Sequence, residues 1–200
     1  MTTTTTKADA AASPLAFGIL VALALSHGLN DLMQSVLIAI YPILKQSLSL
    51  NYTQVGLIGG VFHVTASVLQ PIIGHTTDRR PMPYSVALSS VCTLAGLILL
   101  GFAPTYGVVL IAASMIGVGS SIFHPESSRI ARIASGGRFG LAQSLFQLGG
   151  NAGTAIGPLL AALIIVPNGQ SAAAWFAGFA LIGLCLLSWA GHWYRNWLAE

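Results

Sequence analysis

The chain has 200 residues, of which 54% are hydrophobic and only 6% are charged. A soluble domain carries about 25% charged residues, so this composition excludes a water-soluble globular protein and indicates an integral membrane protein. The formal net charge of +3 comes from basic residues that are scattered between apolar blocks, which argues against nucleic-acid binding. Residues 1–14 hold a run of threonines, and we expect a disordered tail there, ahead of a transmembrane domain at residues 15–200.

Six stretches are predicted to be transmembrane helices, because a span needs about 20 predominantly apolar residues. They lie at residues 15–41, 55–73, 84–103, 107–127, 141–166 and 172–190. Continuous apolarity favours helices over a barrel, whose strands alternate. Seven of the eight Lys and Arg residues then fall on one side of the membrane, and only Lys45 falls on the other. This asymmetry predicts that both termini, including the tail, are cytoplasmic.

The first span carries a polar face, with residues at spacings of three and four: His27, Asn30, Asp31 and Gln34. Hydrocarbon cannot solvate such a face, so we expect it to line a water-filled cavity or another helix. Asp31 is the predicted proton-coupling residue, with His27 beside it, because a desolvated carboxyl favours the protonated form. Asn30 and Gln34 are predicted to border a substrate pathway. The alternative is that Asp31 is a structural acid that is hydrogen-bonded to neighbouring helices.

The loop predicted after the second span is a candidate gate, with four residues that matter: Gly74, Asp78, Arg79 and Arg80. The alternative is that the two arginines only anchor the inner leaflet. In the fourth span, Glu126 and Arg129 are three residues apart and can form an ion pair if the helix continues. We expect a clamp with Asp78 and Arg79, or else a proton step at Glu126. Counting depth along the spans places Glu126 near the cytoplasmic edge and Asp31 beyond the midplane, so the two carboxylates are not expected to touch.

The fifth span carries a stripe of polar side chains: Gln143, Gln147, Asn151 and Thr154. Amides can orient a phosphonate-like group by hydrogen bonding, and they can equally join helices. The first three are predicted to border the substrate pathway, and both interpretations stay open. No spacing typical of a metal site is present, so neither a metal nor a cofactor is expected.

Three segments resemble motifs of the major facilitator superfamily. They are Gly74-His75-Thr76-Thr77-Asp78-Arg79 after the second span, Gly117-Val118-Gly119 in the fourth, and Gly153-Thr154-Ala155-Ile156-Gly157-Pro158 in the fifth. Three more resemble a drug-exporting branch of that family: Ser26-His27-Gly28-Leu29-Asn30-Asp31, Pro81-Met82-Pro83 and Phe123-His124-Pro125-Glu126. The chain is identified on these residues as similar to the N-terminal half of such a transporter.

The resemblance implies an all-α integral membrane fold of six transmembrane helices in an inverted 3+3 repeat. It also implies proton-coupled efflux (antiport) of small phosphonate drugs by alternating access, in a bacterial-type inner membrane. The partners would be the drug, protons, the lipid bilayer, and either a second six-helix half or a homodimer partner. The main rival is a non-transporting membrane protein, such as a truncated product or an assembly partner. A membrane enzyme is the weakest alternative, and we expect none.

Overall fold

The computed structural model describes residues 15–200, and the chain is helical through most of this range. The helices are α1 (Phe17–Ala39), α2 (Tyr41–Ser47), α3 (Tyr52–Arg79), α4 (Ser85–Gly101), α5 (Tyr106–Ala134), α6 (Phe139–Asn168), a 3₁₀ helix (Gln170–Phe176) and α7 (Ala177–Ala199). The tail predicted at residues 1–14 lies outside the described residues.

Five of the helical segments are long and apolar enough to cross a membrane: Phe17–Ser47, Tyr52–Arg79, Tyr106–Ala134, Phe139–Asn168 and Gln170–Ala199. The remaining apolar helix, α4, has 17 residues. At 1.5 Å per residue it is about 26 Å long, slightly short of a hydrocarbon core of about 30 Å. The described chain therefore contains the six apolar segments that the sequence predicts.

The packing of the helices repeats itself within the chain. α1 packs on α6 and α7, α5 packs on α3 and α4, and α4 packs on α7. Exchanging the first three crossings (α1–α2, α3, α4) for the last three (α5, α6, α7) leaves this set of contacts unchanged: α1–α6 becomes α5–α3, α1–α7 becomes α5–α4, and α4–α7 becomes itself. Three crossings reverse the direction of the chain, so the second triplet is inverted relative to the first. This is the predicted inverted 3+3 repeat of half a major facilitator fold.

Small residues allow α1 and α6 to touch along their backbones. A Cβ on Gly149 would overlap the Ala24 carbonyl oxygen, and a Cβ on Gly153 would overlap that of Gly28. At the equivalent interface of the other triplet, Gly117 of α5 lies against Thr65 of α3. We call the α1–α6 contact the glycine seam. Such close approach is how helices associate where no hydrophobic effect drives them together.

A buried polar layer separates two apolar clusters along the bundle. One cluster includes Leu37, Leu100 and Ile116, and the other includes Leu23 and Phe123. Between them lie buried polar residues of α1, α4 and α5: Ser26, His27, Asn30, Ser89, Ser90, Thr93, Ser120 and Ser121. The candidate site occupies this layer.

Both ends of the described chain lie at the same end of the bundle, as an even number of crossings requires. The Ala16 N–H, just before α1, donates to the Ala134 carbonyl at the end of α5 (2.9 Å). Near the end of α7, the Arg195 guanidinium lies 5.8 Å from the centre of the Tyr84 ring, just before α4. We call this the arginine-rich end, since it also carries Arg79, Arg80, Arg132 and Arg138.

Helices α3 and α5 run further towards this end than the sequence predicted. Their predicted ends were residues 73 and 127, but α3 continues to Arg79 and α5 to Ala134. Residues 74–79 are therefore the last turns of a helix rather than a loop, and α3 stops only before the prolines at 81 and 83. Pro125 lies inside α5, as prolines do in membrane helices whose freed backbone groups find other partners. Glu126 consequently lies about 12 Å before the end of α5.

Candidate functional site

Asp31 is the centre of a cluster that joins α1 to α5. His27 Nε2 lies 3.3 Å from Asp31 Oδ2, and His124 Nε2 lies 3.9 Å from Asp31 Oδ1. The amides of Asn30 (3.2 Å) and Gln34 (3.4 Å) donate to Oδ1. We call His27, Asp31 and His124 the His–Asp cluster. The four polar residues predicted on the face of the first span thus meet at one carboxyl, and Asn30 and Gln34 act as partners of Asp31.

Backbone carbonyls fix the hydrogen positions on both imidazoles. His27 Nδ1 lies 2.7 Å from the Phe146 carbonyl oxygen, and His124 Nδ1 lies 3.0 Å from that of Ser120. A carbonyl oxygen can only accept, so each Nδ1 carries the hydrogen and each neutral ring presents a lone pair at Nε2. Both Nε2 atoms face Asp31. If Asp31 were ionised and both rings neutral, each Nε2 lone pair would face a carboxylate oxygen, and both are hydrogen-bond acceptors. The cluster is therefore arranged to hold at least one proton.

Packing holds the buried histidine of the cluster in place. The His27 ring stacks on Phe146 of α6 with centroids 4.0 Å apart, and its side chain is 5% exposed. Gly150 of α6 makes room for the cluster, because a Cβ there would lie 2.6 Å from His27 Cε1 and 2.9 Å from Asp31 Oδ2. Asp31 (21%) and His124 (31%) keep partly exposed side chains, so the cluster is accessible from the protein surface.

A second polar network, the charge clamp, joins α3, α4 and α5 through Arg129. Arg129 Nη1 donates to Glu126 Oε1 (2.6 Å), and Nε donates to Asp78 Oδ1 (3.1 Å). Its Nη2 also donates to the Thr77 hydroxyl (3.0 Å) and the Gly74 carbonyl (3.3 Å). Ser85 donates to the other Glu126 oxygen at 2.9 Å. The predicted contact of Glu126 and Arg129 with Asp78 is therefore present.

The gate residues differ in their place relative to this clamp. Glu126 is fully buried, whereas the Asp78 side chain is 70% exposed. Arg79 and Arg80 are exposed at the end of α3. Within the described chain they are not hydrogen-bonded to the clamp, so the prediction that Arg79 joins it was wrong. The reason is that Asp78 and Arg79 are consecutive residues of the last turn of α3 and point in different directions, while Arg80 lies just beyond the helix, so only Asp78 of the three faces α5.

The cluster and the clamp diverge around Pro125. His124 and Glu126 are two residues apart, which turns their side chains about 200° apart around α5. His124 accordingly meets α1, and Glu126 meets α4. Asp31 and Glu126 have separate partners, as expected from the sequence. The contact of His124 with Asp31 nevertheless brings the two carboxylates to closer depths than the count along the spans predicted.

An open cleft lies beside both networks. Its volume is about 710 Å³, and its polar lining comes from three helices: Gln70, His75, Asp78, His124, Ser128, Gln143 and Gln147. Gln143, Gln147 and Asn151 of α6 are all exposed. The two glutamines thus reach the cleft that contains His124, while Asn151 lies further along the exposed face of α6. Exposure at this face disfavours the alternative that these amides join helices within the described chain.

The His–Asp cluster is the group in the described chain whose residue types could hold a metal ion, with ligand atoms within 4.8 Å of one another. Zinc bonds of about 2.0–2.1 Å place tetrahedral ligand atoms about 3.3 Å apart. The 3.9 Å between His124 Nε2 and Asp31 is wider than this.

Sequence reasoning missed His124 as a partner of Asp31, and it missed Ser85 as a partner of Glu126. Ser120 and His124 are four residues apart and share a face of α5, which the sequence shows, but the contact of His124 with Asp31 depends on how α5 packs on α1. No sequence signal identified Ser85, because its role depends on how α4 packs on α5.

A bundle of six apolar helical segments, with a protonatable cluster beside a polar cleft, defines a membrane transporter domain. Residues 23–195 match the Major Facilitator Superfamily. The chain belongs to this family.

Relatives of known name agree with this assignment. The chain is 53% identical over 178 residues to the fosmidomycin resistance protein of Escherichia coli (strain K12), covering 89% of this chain and 44% of that protein. It is 43% identical over 184 residues to the uncharacterized MFS-type transporter YfnC of Bacillus subtilis (strain 168), covering 92% and 45%. The chain therefore spans a little under half the length of these relatives.

Solved transporters share the fold at low sequence identity. A peptide transporter, POT, crystallised with sulfate, aligns with a TM-score of 0.73 at 18% identity, covering 84% of this chain and 37% of that one. A bacterial homologue of the human lysosomal transporter Spinster aligns with a TM-score of 0.71 at 18% identity, covering 94% and 43%. These likenesses support the fold alone.

Proposed function

We propose that this chain supplies one half of a proton-coupled exporter of fosmidomycin-like small molecules. The observation that carries the proposal is the His–Asp cluster, in which two imidazoles of fixed tautomer face one carboxyl beside an amide-lined cleft. Such a group cannot be satisfied without a proton, and its partial exposure lets the proton exchange. The substrate class in this proposal is supported by the 53% identity to the fosmidomycin resistance protein.

The proposed mechanism is alternating access between two six-helix halves. Proton binding at Asp31 and His27 from the outside drives the carrier back after it has released the drug. Gln143, Gln147 and Asn151, with Asn30 and Gln34, border the drug's path on this half. The other wall of the path comes from a second six-helix half or from a second copy of this chain, with both termini in the cytoplasm of a bacterial-type cell.

The charge clamp is the proposed gate at the arginine-rich end. Asp78, Glu126 and Arg129 join three helices there, and Gly74 contributes its carbonyl. Because the buried Glu126 depends on Arg129, opening this end must separate or rearrange a charge pair. Arg79 and Arg80 then serve the gate by holding the end of α3 at the membrane surface.

A chimera tests the function directly. This chain replaces the matching 178 residues of the fosmidomycin resistance protein, and the chimera and the chain alone are expressed in cells that lack that protein. We expect the chimera to protect against fosmidomycin and its Asp31→Asn variant to protect no better than an empty vector. Glu200→Gln, which removes an exposed acid far from the cluster, is the matched control.

Each result separates the alternatives. Protection by the chain alone would favour a homodimer over a second half. A well-expressed chimera that gives no protection would refute the exporter proposal and favour the non-transporting alternative. Full protection by Asp31→Asn would refute Asp31 as the proton site.

A further inference from the structure

With a single proton in the His–Asp cluster, His124 Nε2 is left without a hydrogen-bond partner. The amides of Asn30 and Gln34 both donate to Asp31 Oδ1, so a single shared proton belongs on Oδ2, between Asp31 and His27 at 3.3 Å. This arrangement leaves His124 Nε2 facing Oδ1 at 3.9 Å with a lone pair and no hydrogen to donate. A contact of that length is outside hydrogen-bonding range.

A second proton changes this contact from repulsive to attractive. Placed on His124 Nε2, it makes an imidazolium that donates to Oδ1, and charge-assisted N–H···O bonds are about 2.7–2.9 Å long. The 3.9 Å gap would then close by about 1 Å. The ring is not free to rotate away, because its Nδ1 is held by the Ser120 carbonyl. Asp31 Oδ1 is held to α1 by the amides of Asn30 and Gln34, so closing the gap draws α5 towards α1.

The groups around His124 favour this role. From α1 it faces Asp31 and His27, whose ring lies edge-on with centroids 5.2 Å apart. From α6 the cleft presents Gln143 and Gln147, which are neutral, and from α3 it presents His75 and Asp78. Asp78 is engaged by Arg129, so Asp31 is the acid nearest to His124 that is not held by an arginine.

The charge clamp begins on the next turn of the same helix. Pro125 separates His124 from Glu126 and lacks the N–H that would bond the Ser121 carbonyl, so α5 is weakened between the two sites. Arg129 then bridges Glu126 to α3. We propose that His124 binds the second proton of the His–Asp cluster and, by drawing the Pro125 region of α5 onto α1, transmits protonation to the charge clamp. This rests on the proposed function, whose proton site it extends.

Solid-state NMR of the 200-residue chain in bilayers tests the geometry without requiring transport. Recoupling between ¹³Cγ of Asp31 and ¹⁵Nε2 of His124 measures their separation at alkaline and acidic pH. We expect it to shorten by about 1 Å on acidification, to charge-assisted hydrogen-bond length. The separation between Asp31 and His27 should change little. An unchanged Asp31–His124 separation would overturn the proposal.

Transport by the chimera tests the consequence. Inside-out vesicles are assayed for labelled fosmidomycin uptake driven by a proton gradient, and for exchange of labelled for unlabelled drug without a gradient. His124→Asn keeps a donor for the Ser120 carbonyl, and His124→Gln keeps one towards Asp31, but neither can take a proton. We expect both to retain exchange and lose gradient-driven uptake, whereas His63→Asn, an exposed histidine of α3, should retain both.

The two proposals fail differently. Gradient-driven uptake that survives in both His124 variants with the parent's pH profile, but not in Asp31→Asn, would refute the role of His124 and leave the exporter proposal standing. Uptake that survives in Asp31→Asn would refute the proposed proton site itself. Loss of exchange together with uptake in both His124 variants would assign His124 to substrate binding instead.

Discussion

Removing Arg129 should destabilise the fold far more than removing its exposed partner. Arg129→Met leaves Glu126, which is fully buried, with Ser85 as its remaining side-chain partner among those found. Breaking a buried ion pair by deleting one partner costs about 3–5 kcal/mol, because the other charge stays buried and uncompensated. Asp78 is 70% exposed, and exposed pairs contribute about 0–1 kcal/mol. We therefore expect Arg129→Met to lower the free energy of unfolding several-fold more than Asp78→Asn does.

The assay is reversible unfolding of the purified chain in mixed micelles, followed by tryptophan fluorescence as the denaturing detergent is increased. A double variant, Arg129→Met with Glu126→Gln, removes both charges and should recover about 2 kcal/mol or more relative to Arg129→Met alone. Equal costs for Arg129→Met and Asp78→Asn would refute the reasoning. So would a double variant no more stable than the single one, since the cost would then come from lost packing rather than from an unpaired carboxylate.

Three further substitutions probe the site and the fold. Gly150→Ala should abolish protection by the chimera while the protein still inserts, since the new Cβ meets His27 and Asp31; Gly60→Ala, with open space around it, should protect fully. Gly153→Ala should lower the unfolding midpoint in the same micelle assay, because the methyl overlaps the Gly28 carbonyl; an unchanged midpoint would mean that the glycine seam is loose. Asn51→Ala removes one half of a capping box at the start of α3 and should cost about 1 kcal/mol, with a loss near zero showing that water replaces the cap.

Composition and spacing were enough to predict the membrane class and the six apolar segments, and the resemblance to the major facilitator superfamily implied the repeat. The same kind of reasoning predicted that His27 and Asp31 share a face, because residues four apart on one helix must do so. The length, apolarity and face of a single helix can be predicted from the amino-acid sequence of that helix alone.

The ends of α3 and α5 were harder to predict, because they depend on neighbours. A proline either ends a membrane helix or is accommodated within it. The outcome depends on whether neighbouring groups satisfy the carbonyl four residues earlier, which has lost its N–H partner. Pro125 lies within the predicted fourth span, but the continuation of α5 to Ala134 and the contact of His124 with Asp31 depend on how α5 packs against its neighbours. Contacts between helices that are distant in sequence, such as that of Ser85 with Glu126, depend on the tilt of the helices and on the distance between them. Neither can be predicted from a single segment of the sequence.

The glycine seam has a mechanical consequence. At the seam the two backbones are in direct contact, and no flexible side chains separate them. Neither helix can therefore translate or rotate without a steric clash between a carbonyl oxygen and a Cα atom. α1 and α6 therefore form a rigid helix pair. This pair holds Asp31, His27 and the amides of the cleft at fixed distances from one another. The compliant element is α5, whose ladder of hydrogen bonds is interrupted at Pro125. A structural change in the buried polar layer is therefore accommodated most easily by a movement of α5, and it is transmitted along α5 towards the arginine-rich end.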